Sequence, residues 1–187
     1  MEVMQPHRFT IENYHAMGDA GILPRDRRVE LIDGQVVEMS PIGRRHLAAV
    51  DRLNRMFVLA CGTAAIVRTQ GSILLPPFSE PEPDLLVLSE APDFYAAAGA
   101  RGRDALLAVE VADSSLFYDM RVKAPLYARE GIPELWIVDL RRDTLLVYRL
   151  VGEGRYGDPE SLVDGRVSPE RFPALSLDVA EILKTSP

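Results

Sequence analysis

Two short runs, Leu85 to Leu88 and Leu106 to Val111, are apolar at almost every position. A strand with one wet face alternates apolar and polar residues. A strand without that alternation belongs at the centre of a sheet covered on both sides. The covering elements have to come from the rest of the chain, which has 187 residues, 47% of them hydrophobic and 26% charged. A chain of this size buries roughly 70% of its unfolded surface, enough for one domain with a real core. The second run has one exception, Glu110. A carboxylate on a strand buried on both faces costs several kcal/mol unless a positive partner compensates it.

The remaining patterns supply the covering elements. Thr10 can cap a short helix over Ile11 to Met17, which Gly18 and Gly21 end. Val29 to Ile32 and Gln35 to Met39 flank Asp33-Gly34, the strongest short-range signal for a two-residue hairpin. From Arg44 to about Cys61 the spacing is helical: Val50, Leu53 and Phe57 share one side, while Arg44, Arg45, Arg52 and Arg55 form a basic stripe on the other. Ala64 to Gln70 and Ser72 to Leu75 read as strands broken by Gly71, followed by a proline-laden loop from Pro76 to Pro83. Ala91 to Arg103 reads as a small helix or an exposed loop. Ser114 and Ser115 can cap a helix reaching Glu130, bent at Pro125 and ended by Gly131. Glu134 to Val138 and Thr144 to Leu150 make a strand pair, and a last apolar piece spans Leu175 to Leu183. Strands interleaved with helices give an α/β or α+β class with a mixed central sheet. One domain spans 1–187, with an N-terminal helix and hairpin over about 9–40 and a C-terminal extension over about 151–187.

Several function classes are excluded. The longest apolar runs, such as Met56 to Cys61, fall far short of the ~20 residues that cross a bilayer, and Met1 to Arg8 has no leader pattern. The expected location is the cytoplasm. A lone cysteine, Cys61, makes neither an internal disulfide nor a multi-thiolate site, so any metal is held mainly by oxygen. The formal net charge of -7 argues against a general nucleic-acid binder. Of the 21 cations only Lys123 and Lys184 are lysines, and Asn occurs only at positions 13 and 54. That skew fits a GC-rich genome or a thermophile.

The chemistry concentrates around Glu110. Asp84 sits at the mouth of the first central strand. If the two strands are antiparallel neighbours, Asp84 and Glu110 meet at one end of the sheet. A shared magnesium ion would relieve their repulsion, being hard and content with one or two carboxylates plus water and phosphate. Lys123 lies on the following helix, with Asp119 and Tyr127 four residues to either side on its face. Its compact ammonium suits orienting water or neutralising a developing phosphorane. Each residue also has a plainer reading: Asp84 as a turn former, Glu110 in a buried salt bridge to Lys123, Lys123 as a solvated surface cation. Glu30 in the hairpin and Gln70 at the end of its strand are further candidates against ordinary surface roles. His46 projects near the apolar side of its helix and is a candidate against a satisfied core histidine. Tyr127 reads as core packing with its hydroxyl tied down.

Taken in order, Val29-Glu30-Leu31-Ile32-Asp33-Gly34, His46, Pro83-Asp84-Leu85, Val109-Glu110-Val111 with Ser114 and Ser115, Asp119, Lys123, Tyr127, Gly131 and Glu134-Leu135-Trp136-Ile137-Val138-Asp139 resemble the small bacterial putative restriction endonuclease family of the PD-(D/E)XK nuclease superfamily. The resemblance covers roughly residues 9–150. It implies a restriction-endonuclease-like core and phosphodiester hydrolysis of nucleic acid, DNA first. Asp84 and Glu110 would be the motif acids holding Mg2+ or Mn2+. The superfamily's usual lysine lies two positions past the second acid, where this chain has Ala112; Lys123 is the available replacement. The basic stripe offers nucleic acid a landing surface, against the plainer reading of a solvated helix face. Duplex-cutting nucleases often pair about a twofold axis, so a homodimer is the first expectation, with apolar surface near Trp136 and the last hairpin as its interface. Two other classes remain open: a non-catalytic binding or regulatory module on the same scaffold, and a glycosidase using Asp84 and Glu110 as acid and base. The second is disfavoured by an aromatic content of only 7%, which leaves little to stack sugars.

Overall fold

In the computed structural model, which describes residues 6–24, 26–152, 154–173 and 175–184, the two apolar runs are adjacent central strands. Residues 1–5, on which the reading of the N-terminus partly rests, lie outside the described part. Strand β4 (Leu85–Leu88) pairs antiparallel with β5 (Ala105–Ala112), Leu85 opposite Val109 and Leu86 opposite Ala108. β5 in turn runs parallel to β6 (Glu134–Asp139), which a helical crossover makes possible. β3 (Ile66–Thr69) flanks β4, and β7 (Thr144–Gly152) flanks β6, both antiparallel. Two short strands, β8 (Arg155–Tyr156) and β9 (Glu160–Leu162), both pair with β7. The result is a mixed sheet of seven strands among the described residues.

Helices cover both faces. On one, α2 (Arg44–Cys61) places Val50, Leu53 and Phe57 against Leu85, Val109, Trp136 and Val138. On the other, Leu86, Ala108, Ala112 and Ile137 pack with Leu126 and Tyr127 of the crossover. The N-terminal helix α1 (Ile11–Asp19) has the expected Thr10 cap, and Asn13 returns a hydrogen bond to close a capping box. β1 (Val29–Ile32) and β2 (Gln35–Glu38) form the expected hairpin, with positive φ at Asp33 and Gly34. Gly34 is required there, because a Cβ would lie 2.6 Å from that of Arg8. Past β9, β10 (Arg166–Val167) pairs with β11 (Leu177–Asp178), and α5 (Val179–Leu183) adds Val179 and Ile182 to the α2 side of the core.

Three expectations are corrected. Ser72 to Leu75 forms no strand: Leu74 and Leu75 make single bridges only, and the prolines that follow have no donor to extend a ladder. The crossover is not a regular α-helix: one continuous helical segment runs through α3 (Leu116–Tyr118), a π-helical turn over Asp119–Lys123 and α4 (Ala124–Arg129), with the Ala124 N–H bonded to the Asp119 carbonyl just before Pro125, which has no N–H to donate. Ser115 makes no cap bond and donates to Asp119 instead. Finally, Trp136 offers no apolar surface to a partner: it is 0% exposed, because β6 is a central strand, and its ring meets Phe57 at 5.6 Å between centroids. Phe57→Ala is expected to cost about 3–5 kcal/mol in urea unfolding; a cost below about 1 kcal/mol would contradict this packing.

Candidate active site

Asp84 immediately precedes β4, and Glu110 follows Val109, the β5 partner of Leu85, so the antiparallel register brings the two acids to the same end of the sheet, where both line one cleft. The Val111 amide, left open where β4 stops, donates to Asp84 Oδ2 at 2.8 Å, and His46 of α2 meets Asp84 Oδ1 at 2.8 Å. The odd position of His46 is thereby explained. Burial acts to lower its pKa, but the hydrogen bond and charge of Asp84 outweigh that and raise it.

Glu110 is 3% exposed and its partner is Lys123. The ammonium lies 3.1 Å from Glu110 Oε1 and 3.2 Å from Glu30 Oε2, and the Tyr127 hydroxyl donates to the same Glu110 Oε1 at 2.7 Å. Glu30 also accepts from the Glu82 amide. Burial acts against the charge on Lys123, yet Glu110, Glu30, Asp119 and Asp84 together hold its pKa above the ordinary lysine range. The cost of burial falls on the carboxylates. Desolvation lifts Glu110 well above the usual range despite Lys123, and it lifts Asp119 to about 6 despite Lys123 and the Ser115 hydroxyl. Four buried acids, Glu30, Asp84, Glu110 and Asp119, thus surround one buried ammonium. The site is short of positive charge.

These groups open on a cleft of ≈ 410 Å³ lined also by Arg28, Ser40, Gly43, Ser114 and Tyr118. A larger, more open depression elsewhere has its two arginines, Arg8 and Arg129, already paired with Asp33. Among the described residues no group of three or more Asp, Glu, His or Cys side chains is placed to hold a metal ion. The chemistry of the donors nevertheless fits a hard divalent ion that keeps water ligands: two carboxylates lining one cleft, surplus negative charge, and a Glu110 Oε2 with no hydrogen bond among the described residues.

Of the candidates read from the sequence, Asp84, Glu110, Lys123, Glu30 and His46 come together at this cleft, with Tyr127 behind Glu110. Gln70 does not join them. Its backbone N–H donates to the Asp84 carbonyl, while its side chain is exposed and outside the cleft. The four arginines of α2 divide. Arg45 pairs with Asp143 and Arg52 donates to the Lys184 carbonyl, whereas Arg44 and Arg55 are exposed without an ion pair among the described residues. Sequence reasoning missed Tyr118. A π turn closes hydrogen bonds over five residues rather than four, so positions 118 and 123 come to one side, which α-helical spacing does not anticipate.

The model of the family described as Putative restriction endonuclease (Uma2) matches residues 11–180. The chain belongs to this family. The Uma2 match takes in all the cleft residues, from Arg28 to Lys123. The crystal structure of a putative nuclease belonging to DUF820 from Anabaena variabilis is similar to this chain with a TM-score of 0.73, over 94% of this chain and 97% of that one, at 16% identity. At that identity the likeness establishes the nuclease-like fold, a mixed sheet flanked by helices. No curated protein matches the chain. Among the described residues no helix is long and apolar enough to cross a membrane.

The raised carboxyl of Asp119 sets a pH dependence. Its contribution to stability is present below the unfolded value of 3.8 and is lost as pH rises through about 6. Asparagine does not titrate. In chemical unfolding, the stability of wild type relative to Asp119→Asn is therefore expected to fall by about 2 kcal/mol between about pH 4 and pH 7. A difference independent of pH would contradict the burial described.

Proposed function

We propose that this Uma2 protein is a divalent-metal-dependent endonuclease acting on nucleic acid, with DNA as its substrate. The observation that supports the reading is that Asp84, just before β4, and Glu110 of β5 line one cleft, which holds more buried carboxylate than buried cation. Asp84 and Glu110 would hold Mg2+ or Mn2+. When bound, such an ion supplies Lewis acidity toward water and toward a phosphate oxygen.

The protein groups have distinct tasks. Lys123, held charged by Glu30 and Glu110, has no free base to offer and serves as a fixed positive charge that orients water and offsets charge developing on phosphorus. Its amine meets Glu110 from the crossover, while Ala112, at the superfamily's usual lysine position, is buried among apolar neighbours. Tyr127 and the Val111 amide fix the carboxylates of Glu110 and Asp84. His46 steadies Asp84 from α2, so the helix that carries Arg44 is tied to this acid.

Asp84→Ala and Glu110→Gln are expected to remove magnesium-dependent cleavage by several decades in a panel of plasmid, oligonucleotide and RNA substrates. Wild-type-like cleavage by Asp84→Ala would refute the reading. A wild-type protein that neither binds magnesium nor cuts would favour a binding module on the same scaffold. Reversing the charge of Arg44 and Arg55 together should weaken DNA binding and flatten its dependence on salt; unchanged binding would leave the helix face merely solvated.

A further inference from the structure

The Tyr118 hydroxyl is the one buried side-chain polar atom that lacks a hydrogen-bond partner among the described residues. A buried hydroxyl in that condition forfeits its bonds to water without replacement, so a partner that arrives with a ligand gains what folding left unmet. Its location says what that partner is. Tyr118 lines the cleft, and the charges acting on its hydroxyl are those of Glu30, Lys123, Asp119 and Glu110. Burial and the neighbouring carboxylates keep the phenol protonated, so it offers a neutral O–H.

Ser40 and Ser114, which also line the cleft, are exposed to water, and the charged and buried donors there each hold at least one carboxylate. Lys123 is bound to Glu30 and Glu110, Arg28 to Glu82, His46 to Asp84, and the Ser115 hydroxyl to Asp119. An anionic oxygen entering among four carboxylates therefore finds in Tyr118 a buried hydroxyl with no existing bond to break. We infer that Tyr118 is a substrate-binding residue whose hydroxyl donates to a non-bridging oxygen of the phosphodiester in the cleft. The identity of the ligand rests on the nuclease reading; the vacancy of the donor does not.

Two measurements test it together. With 13Cζ-labelled tyrosine the protein gives six tyrosine signals, and Tyr118→Phe identifies one by its loss. Titration of wild type with dimethyl phosphate in magnesium chloride is expected to move that signal to saturation. Tyr118→Phe, which removes only an unpartnered oxygen, should melt at or above the wild-type temperature while losing about tenfold or more in kcat/KM for DNA cleavage. A Tyr118 signal that does not move, or a variant that cleaves like wild type, would overturn the inference. If the signal moves but wild type cuts no nucleic acid, phosphodiester binding stands and the nuclease reading falls. If wild type cuts while the signal stays still, the inference alone falls.

Discussion

The ammonium of Lys123 is buried between Glu30 and Glu110, and three separate parts of the chain depend on that contact. Glu30 belongs to the N-terminal hairpin, Glu110 to a central strand, and Lys123 to the π turn of the crossover. Each of the three would be costly to bury alone, by several kcal/mol in effect. Together they form a bridge that also fixes the hairpin over the end of the sheet and sets the azimuth of the crossover. A lysine suits the place better than an arginine, since a compact charge with tetrahedral donors reaches two carboxylates from different elements.

That bridge satisfies only part of the negative charge around it. Asp84 and Asp119 remain nearby, and the raised carboxyls of Glu110 and Asp119 are the electrostatic record of the shortfall. A protein selected for stability alone would replace such acids with apolar residues of similar volume. On the function proposed above, these acids gathered at a cleft form a site for a cation and an anionic ligand, with stability given up locally. The rest of the fold is arranged to tolerate this: apolar layers on both faces of the sheet hold β4 and β5 in register, and the register places the acids.

Much of this was legible in the sequence, for reasons that differ by element. The central strands, the Asp33-Gly34 hairpin and α2 follow from local patterns that tertiary contacts reinforce. Glu110 was legible because a charge in an apolar run is an anomaly, and His46 for the same reason on a helix. The crossover was not. Helical periodicity assumes 3.6 residues per turn, and the π turn at Asp119–Lys123 breaks that assumption, which hid Tyr118. Trp136 was misplaced because one strand read alone does not reveal which neighbours cover it. Gln70 falls just past the strand it was expected to close, its positive φ is a tertiary outcome, and its exposed side chain lies outside the cleft.

The proposed chemistry requires Asp84 and Glu110 to share one divalent ion. Anomalous scattering from crystals grown with manganese tests it most directly. A single strong peak is expected at ligand distance, about 2.1–2.2 Å, from an oxygen of each carboxylate. A peak bound to only one of them, or none in the cleft at saturating manganese, would contradict it.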